Sequence, residues 1–195
     1  MPDCYAYQYG SRHVAPASAL SVTPPLFICD ASAATPIPDA VPRVVWRAGL
    51  DLAPIDLDNA EDAGWLETLV WPEQIDRLNR LRSAISIARA VQPSLIEGDL
   101  LVDLPALAAQ APRNATLVVF HSAVLAYVAL QARERFVEIV RALDAVWISN
   151  ESPTVFPAIS ANVAVDRAGG RFLLAVDGNP VAWTDAHGAA IEWLA

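Results

Sequence analysis

Residues 94–127 constrain the fold more than any other stretch, because short apolar runs alternate there with turns and one helical segment. The run at residues 116–120 is rich in Val, Leu and Phe, and His121-Ser122 follows it directly. A continuous apolar run of this length is typical of a strand buried on both faces, as in a parallel sheet covered by helices. In open sheets of this kind, ligands bind outside the carboxyl ends of the strands. The pattern therefore predicts a site near Asp99 and His121-Ser122, without indicating its chemistry.

Strand and helix patterns alternate along the chain as far as residue 149, and an antiparallel hairpin follows them. With right-handed crossovers, this order predicts a doubly wound, Rossmann-like α/β fold with a mostly parallel sheet. The sequence Asp177-Gly178-Asn179 is a strong hairpin signal. The predicted strands comprise residues 43–47, 94–97, 116–120 and 145–149, followed by 171–176, which can pair with 162–166 or with 181–184.

Helix signals lie between these strands. Asp58 or Asn59 is suited to cap a short helix, and a second helix is predicted from Pro72 to the residues before Pro93. Further helices are predicted at residues 103–110 and 189–194. The helical region after His121-Ser122 either continues into, or turns before, a helix at residues 131–143.

Composition narrows the classes of function. The net charge of −9 argues against a nucleic-acid-binding surface, since phosphate contacts need clustered positive charge. No apolar run has the length of a membrane span, and the first residues show no signal-peptide pattern. Two cysteines are too few for a disulfide framework, so a reducing cytoplasm is expected. We predict an N-terminal segment at residues 1–42, with a β-hairpin or edge strands and a linker, before an α/β domain at residues 43–195.

Polar residues near the predicted strand ends are the candidates for chemistry. His121 and Glu151 are predicted as catalytic residues that line one crevice, with His121 as acid, base or substrate contact. Neighbouring residues on a strand face opposite ways, so His121 and Ser122 cannot form a nucleophile–base pair. The alternatives are a His121 hydrogen-bonded under the following helix and a Glu151 that caps a loop. The spacing of the three histidines predicts no metal site.

Several segments resemble class I S-adenosylmethionine-dependent methyltransferases in order and spacing. GLDLAP at residues 49–54 is similar to the second strand of these enzymes, and EGDLLVDLP at residues 97–105 is similar to the third. The resemblance implies a ribose contact by Asp51, for which Asp56 or Asp58 could substitute, and an adenine contact by Asp99. TLVVFHSAVLAYV at residues 116–128 and RFVEIVRAL at residues 135–143 resemble the fourth strand and the helix after it.

The combination RAGLDLAPID, WLETLVWPEQ, GDLL, VVFHSAVLAY and NESP resembles a bacterial family of unknown function, DUF2332, over nearly the whole chain. The resemblance implies that family members begin earlier, with a first strand and a glycine-rich turn. The chain is therefore expected to be N-terminally truncated or a shortened paralogue, and to bind the cofactor poorly or not at all.

Three functions follow as hypotheses. The intact family transfers a methyl group from S-adenosylmethionine to an unknown small-molecule or protein acceptor. Alternatively, the chain is a non-catalytic interaction module or a degenerate fragment of that fold, and a homodimer buries its unpaired edge strand. A third hypothesis is a hydrolase or metal-dependent enzyme that uses His121, Glu151 and His187.

Overall fold

The computed structural model describes residues 1–16, 22–161, 163–164 and 169–194, and the chain divides into two compact units. Unit 1 comprises Met1–Ile28 and Ile37–Asp99, and unit 2 comprises Cys29–Pro36 and Leu100–Ala195. The domain boundary expected after residue 42 stays a prediction. Among the described helices, none combines the length and apolarity that crossing a membrane requires.

Unit 1 contains a hairpin, a parallel strand pair and two helices. The hairpin is antiparallel, with Tyr7 opposite Val14, and the parallel pair aligns Ala48 with Ser94. Its elements are a 3-10 turn at Pro2–Cys4, β1 (Ala6–Tyr9), β2 (Arg12–Val14), the first residues of β3 (Leu26–Ala31), β4 (Ala48–Asp51), α1 (Ala60–Thr68), α2 (Ile75–Val91) and β5 (Ser94–Glu97).

The strand predicted at residues 43–47 is wrong, because the chain forms β4 at Ala48–Asp51 instead. An apolar run indicates extended backbone, but the strand lies where a partner supplies hydrogen bonds, and here the partner is the four-residue β5. A Cβ atom at position 49 would lie 2.8 Å from Leu95 Cδ2, so a larger residue there would require the Leu95 side chain to shift. The predicted strand at Ser94–Glu97 is confirmed.

The helices of unit 1 follow most, but not all, of their predicted end signals. Asn59 caps α1, with its Oδ1 accepting a hydrogen bond from the Glu61 backbone N–H at 2.9 Å, so the predicted N-cap is confirmed. Helix α2 begins at Ile75, so the predicted start at Pro72 is wrong. The helix ends before Pro93 as predicted, and Gln92 adopts a left-handed conformation with φ of 48°. Proline disfavours helical backbone at the residue before it, which accounts for this end.

Unit 2 is built on a mixed sheet whose strand order is β3-β10-β9-β8-β7-β6. The pairs β6–β7 and β3–β10 are parallel, and β7 through β10 pair antiparallel. The chain thus has a mixed α/β fold that combines parallel pairs with antiparallel C-terminal strands. Its elements after β3 are α3 (Leu104–Ala108), β6 (Val118–Ser122), a 3-10 turn at Leu125–Tyr127, α4 (Leu130–Arg141), β7 (Val146–Glu151), α5 (Pro157–Ser160), β8 (Phe172–Val176), β9 (Asn179–Thr184) and β10 (Ala190–Trp193).

The C-terminal region confirms one prediction and corrects another. Strands β8 and β9 form the predicted hairpin, and Asp177 and Gly178 both adopt positive φ, at 51° and 78°. The short helix predicted at residues 189–194 is wrong, because β10 pairs with both β9 and β3. Residues 162 and 165–166 of the alternative hairpin partner lie outside the described residues.

The strands that carry the candidate residues extend further than predicted. His121 and Ser122 lie inside β6, and Asn150 and Glu151 lie inside β7, so the placement of these residues after the strand ends is wrong. The chain then turns before α4. On one face of the sheet, β7 packs against α4 and the following loop in a core formed by Leu125, Phe136, Val140, Trp147 and Val155.

Candidate functional site

His121 and Glu151 meet on the face of the β6–β7 pair that packs against α4. The parallel register places His121 opposite Ser149, two residues before Glu151 on the same face of β7. His121 Nδ1 lies 2.8 Å from Glu151 Oε1, and the Trp147 Nε1–H donates to His121 Nε2 at 3.0 Å. Three side chains on two neighbouring strands therefore form one hydrogen-bonded network.

The network fixes the tautomer of His121. The indole N–H of Trp147 can only donate, so His121 Nε2 must be the ring nitrogen that accepts. In the neutral imidazole the proton then resides on Nδ1, which donates to the Glu151 carboxylate. Both ring nitrogens are thus occupied by specific partners within the protein.

Glu151 also holds the turn that follows β6. Its Oε1 accepts hydrogen bonds from the backbone N–H groups of Val124 at 3.0 Å and Leu125 at 3.1 Å. Ala123, which starts this turn, has a φ of 55°, and its N–H donates to the carbonyl of Asn150 at 3.1 Å. Successive N–H groups around a left-handed residue form a concave anion site, and here the protein's own carboxylate fills it.

These contacts set the charge of Glu151. Burial raises the pKa of Glu151, but the hydrogen bonds from His121, Leu125 and Val124 outweigh it and hold the pKa below its usual value. The carboxylate is therefore ionised at neutral pH, and it gives His121 Nδ1–H an anionic acceptor.

The position of the pair suits a structural role better than proton transfer. The side chains of His121 and Glu151 are 9% and 2% exposed, and the rings of Phe136, Trp147 and Phe156 surround the imidazole. A substrate would reach either ring nitrogen of His121 only after a hydrogen bond of the network opened. The catalytic roles of His121 and Glu151 therefore stay predictions.

A second polar group lies on the opposite face of the same strands. Asn150 Nδ2 donates to Ser122 Oγ at 3.2 Å, and Thr184 Oγ1 donates to Asn150 Oδ1 at 2.7 Å. Ser122 and His121 thus face opposite ways, as strand geometry requires.

Sequence reasoning missed the roles of Trp147 and Thr184. The signal for Trp147 was its spacing of four residues from Glu151, which puts both on one face of a strand.

Asp51 and Asp99, the predicted cofactor contacts, belong to unit 1. Asp51 ends β4 directly opposite Glu97 of β5, and the Gly98 N–H donates to the Asp51 carbonyl at 2.9 Å. Asp51 Oδ1 accepts from the Ala53 N–H at 2.9 Å, and Asp51, Glu97 and Asp99 are all exposed. The carboxyl end of this parallel pair therefore carries acidic side chains in water.

The residues proposed for a metal-dependent enzyme are not all brought together. His187 lies exposed in the turn between β9 and β10, where its N–H donates to Asp185 Oδ1 at 2.8 Å. Strands β7 and β8 separate this end of the sheet from His121 in β6. Within the described parts of the chain, no three His, Cys, Asp or Glu side chains are grouped as a metal ion would need.

Comparison with known proteins identifies a family and nothing more specific. No curated protein and no solved structure matches the chain. The model of a family described as an uncharacterized protein conserved in bacteria (DUF2332) matches residues 1–193. The chain belongs to this DUF2332 family.

Proposed function

We propose that the carboxyl end of the β4–β5 pair binds the nucleoside part of an S-adenosylmethionine-type cofactor, which the family uses for methyl transfer. The observation that carries this proposal is the pairing of Asp51 with Glu97 at the ends of two parallel strands, with both side chains exposed. In α/β sheets this end of the strands is where ligands bind.

The chemistry of these residues suits the hydroxyl groups of a ribose. An ionised carboxylate accepts two or more hydrogen bonds, and charge-assisted hydrogen bonds are stronger than neutral ones. The hydrogen bond from Ala53 N–H orients the Asp51 side chain in a turn of its own backbone. Asp99, two residues beyond the end of β5, supplies a further polar group for the base.

The bound cofactor would supply an activated methyl group, and the chain would contribute binding and alignment of the acceptor. The proposed contacts, from Asp51, Glu97 and Asp99, involve only the nucleoside, so contacts to the rest of the cofactor are expected to be few. We therefore expect weak binding, with a Kd on the order of 0.1–1 mM.

Calorimetric titration of S-adenosylhomocysteine into the full chain tests this proposal. The substitution Asp51→Asn keeps the size of the side chain and removes its charge, and we expect it to weaken binding about tenfold. Asp76→Asn is the matched control, since Asp76 is also exposed and lies in the first turn of α2 in the same unit. Equal affinity of the two variants, or no heat of binding with folded protein, would reject the proposal.

The second candidate function is an interaction module that pairs with another copy of the chain. Strand β6 ends the sheet order of unit 2, and its Val118 and Phe120 are 44% and 66% exposed. The strand contains none of the charged or proline residues that protect sheet edges in monomers. We expect a dimer in light scattering at micromolar concentration and a monomer for Phe120→Glu. A monomeric wild-type protein rules out this alternative.

A further inference from the structure

We propose that a small cavity beside Glu151 is a binding site for one water molecule, which donates a hydrogen bond to Glu151 Oε2. The site lies in unit 2, between β7, β8 and the loop that follows β7. Its polar lining comes from Ser149, Glu151 and Ser152, and Phe156, Leu173 and Ala175 form part of its apolar wall. This site is independent of the proposed cofactor site in unit 1.

The two oxygens of Glu151 have opposite surroundings. Oε1 accepts three hydrogen bonds, from His121, Val124 and Leu125. Oε2 is also buried, but no donor among the described residues reaches it. A buried carboxylate oxygen without a partner is costly, and proteins usually satisfy such atoms with ordered water.

The size of the cavity suits a single water molecule. The centre of a water molecule can occupy about 10 Å³ of this cavity. This is close to the minimum for a cavity that holds one water. A nucleoside or a hydrated cation is many times larger than this space. Mg²⁺ and Ca²⁺ also need about six to eight oxygen ligands, more than the three polar side chains here can provide.

The cavity also supplies further polar partners for the bound molecule. Ser149 is 2% exposed and lies two residues before Glu151 on the same face of β7. Ser152 Oγ lies 3.0 Å from Thr154 Oγ1, so one of these hydroxyls donates to the other. A water that donates to Glu151 Oε2 and accepts from Ser149 has two partners, which is within the usual range for buried water.

A crystal structure of the full wild-type chain at about 1.5 Å resolution tests the proposal directly. We expect a solvent peak in the cavity at about 2.5–3.0 Å from Glu151 Oε2. Two results would overturn the proposal: a cavity without density, or a Glu151 side chain whose Oε2 contacts a protein donor instead.

A pair of variants gives a second readout in solution. Ala175→Ser adds a hydroxyl group at the wall of the cavity, where it can replace the water and donate to Glu151 Oε2. Ala182→Ser is the control, because Ala182 is 0% exposed and lies outside the cavity lining. We expect Ala182→Ser to lower Tm by roughly 4 °C or more and Ala175→Ser by less than about 2 °C. Equal losses of Tm would contradict the proposal.

Discussion

The carboxyl ends of two parallel strand pairs, β6–β7 in unit 2 and β4–β5 in unit 1, carry similar residues in opposite environments. On β6–β7, the carboxylate of Glu151 is 2% exposed and accepts hydrogen bonds from a histidine and two backbone N–H groups. On β4–β5, Asp51 and Glu97 are partners in register and both are exposed. The same pattern of a polar residue at a strand end therefore has two structural outcomes.

The difference follows from what covers each strand end. Trp147, Phe136 and Phe156 surround His121, and a charge buried among apolar groups must be hydrogen-bonded to be tolerated. The acidic side chains at the end of β4–β5 are exposed to water, where a carboxylate has no such burial cost and can accept hydrogen bonds from an external ligand. We therefore expect the β6–β7 end to stabilise the fold, and the β4–β5 end is the one we propose for binding.

We expect the largest difference in unfolding free energy between variants of Glu151 and Glu97, the carboxylates at the two strand ends. Glu151→Ala leaves three donors without their acceptor in a buried site, and we expect it to reduce the free energy of unfolding by about 3–5 kcal/mol. Glu97→Ala, at an exposed position, should change it by less than about 0.5 kcal/mol. Urea denaturation followed by circular dichroism measures both. Similar losses for the two variants would contradict the comparison.

The two faces of β6 give the next contrast. His121→Phe removes the acceptor of the Trp147 N–H and one donor to Glu151, and we expect a loss of about 2–3 kcal/mol. Ser122→Ala removes an exposed hydroxyl that accepts a hydrogen bond from Asn150, and we expect a loss of about 0.5 kcal/mol. Urea denaturation also measures the loss of unfolding free energy for these two variants. A larger loss for Ser122→Ala than for His121→Phe would contradict the expectation.

Stability should depend on pH through Glu151. Its pKa is lower in the folded protein than the usual 4.5, so the unfolded chain binds the proton more tightly. Its contribution to stability is therefore fully present above pH 4.5 and is lost as the pH falls through the folded pKa. We expect the difference in unfolding free energy between wild type and Glu151→Gln to shrink from pH 6 to pH 3. A difference that grows over this range would refute the assignment.

The smallest expected effect concerns the backbone of the turn after β6. Ala123 has a φ of 55°, which an alanine adopts only with strain, so Ala123→Gly should stabilise the protein by about 0.5–1 kcal/mol. Ala53 follows β4 in unit 1 and is not among the residues with positive φ in the described chain. Ala53→Gly should therefore destabilise slightly in thermal denaturation. Destabilisation by Ala123→Gly would show that the turn is not strained.

Sequence reasoning succeeded where the signals are local. The Asn59 cap and the Asp177-Gly178 turn each depend on a few neighbouring residues, and both were predicted. It failed where a distant strand decides the outcome. Residues 43–47 and 189–194 carry apolar patterns, but the partners β5, β9 and β3 determine where β4 and β10 form.

The candidate site was predictable only in part. The sequence assigned His121 and Glu151 to one crevice, and the structure brings them into contact. The participation of Trp147 depends on the register between β6 and β7, and the burial of the network depends on the packing of Phe136 and Phe156. The spacing of Trp147 and Glu151 places both on one face of β7, but neither the strand register nor this packing can be derived from spacing along the chain.

A two-dimensional NMR titration with S-adenosylhomocysteine tests the difference between the two strand ends most directly, because it detects weak binding residue by residue. We predict chemical-shift changes at the backbone amides of Asp51, Glu97, Gly98 and Asp99. The amides of Val124 and Leu125 and the ring nitrogens of His121 should not shift. Shifts confined to the turn after β6 and to His121 would contradict the account and make the β6–β7 end the binding site.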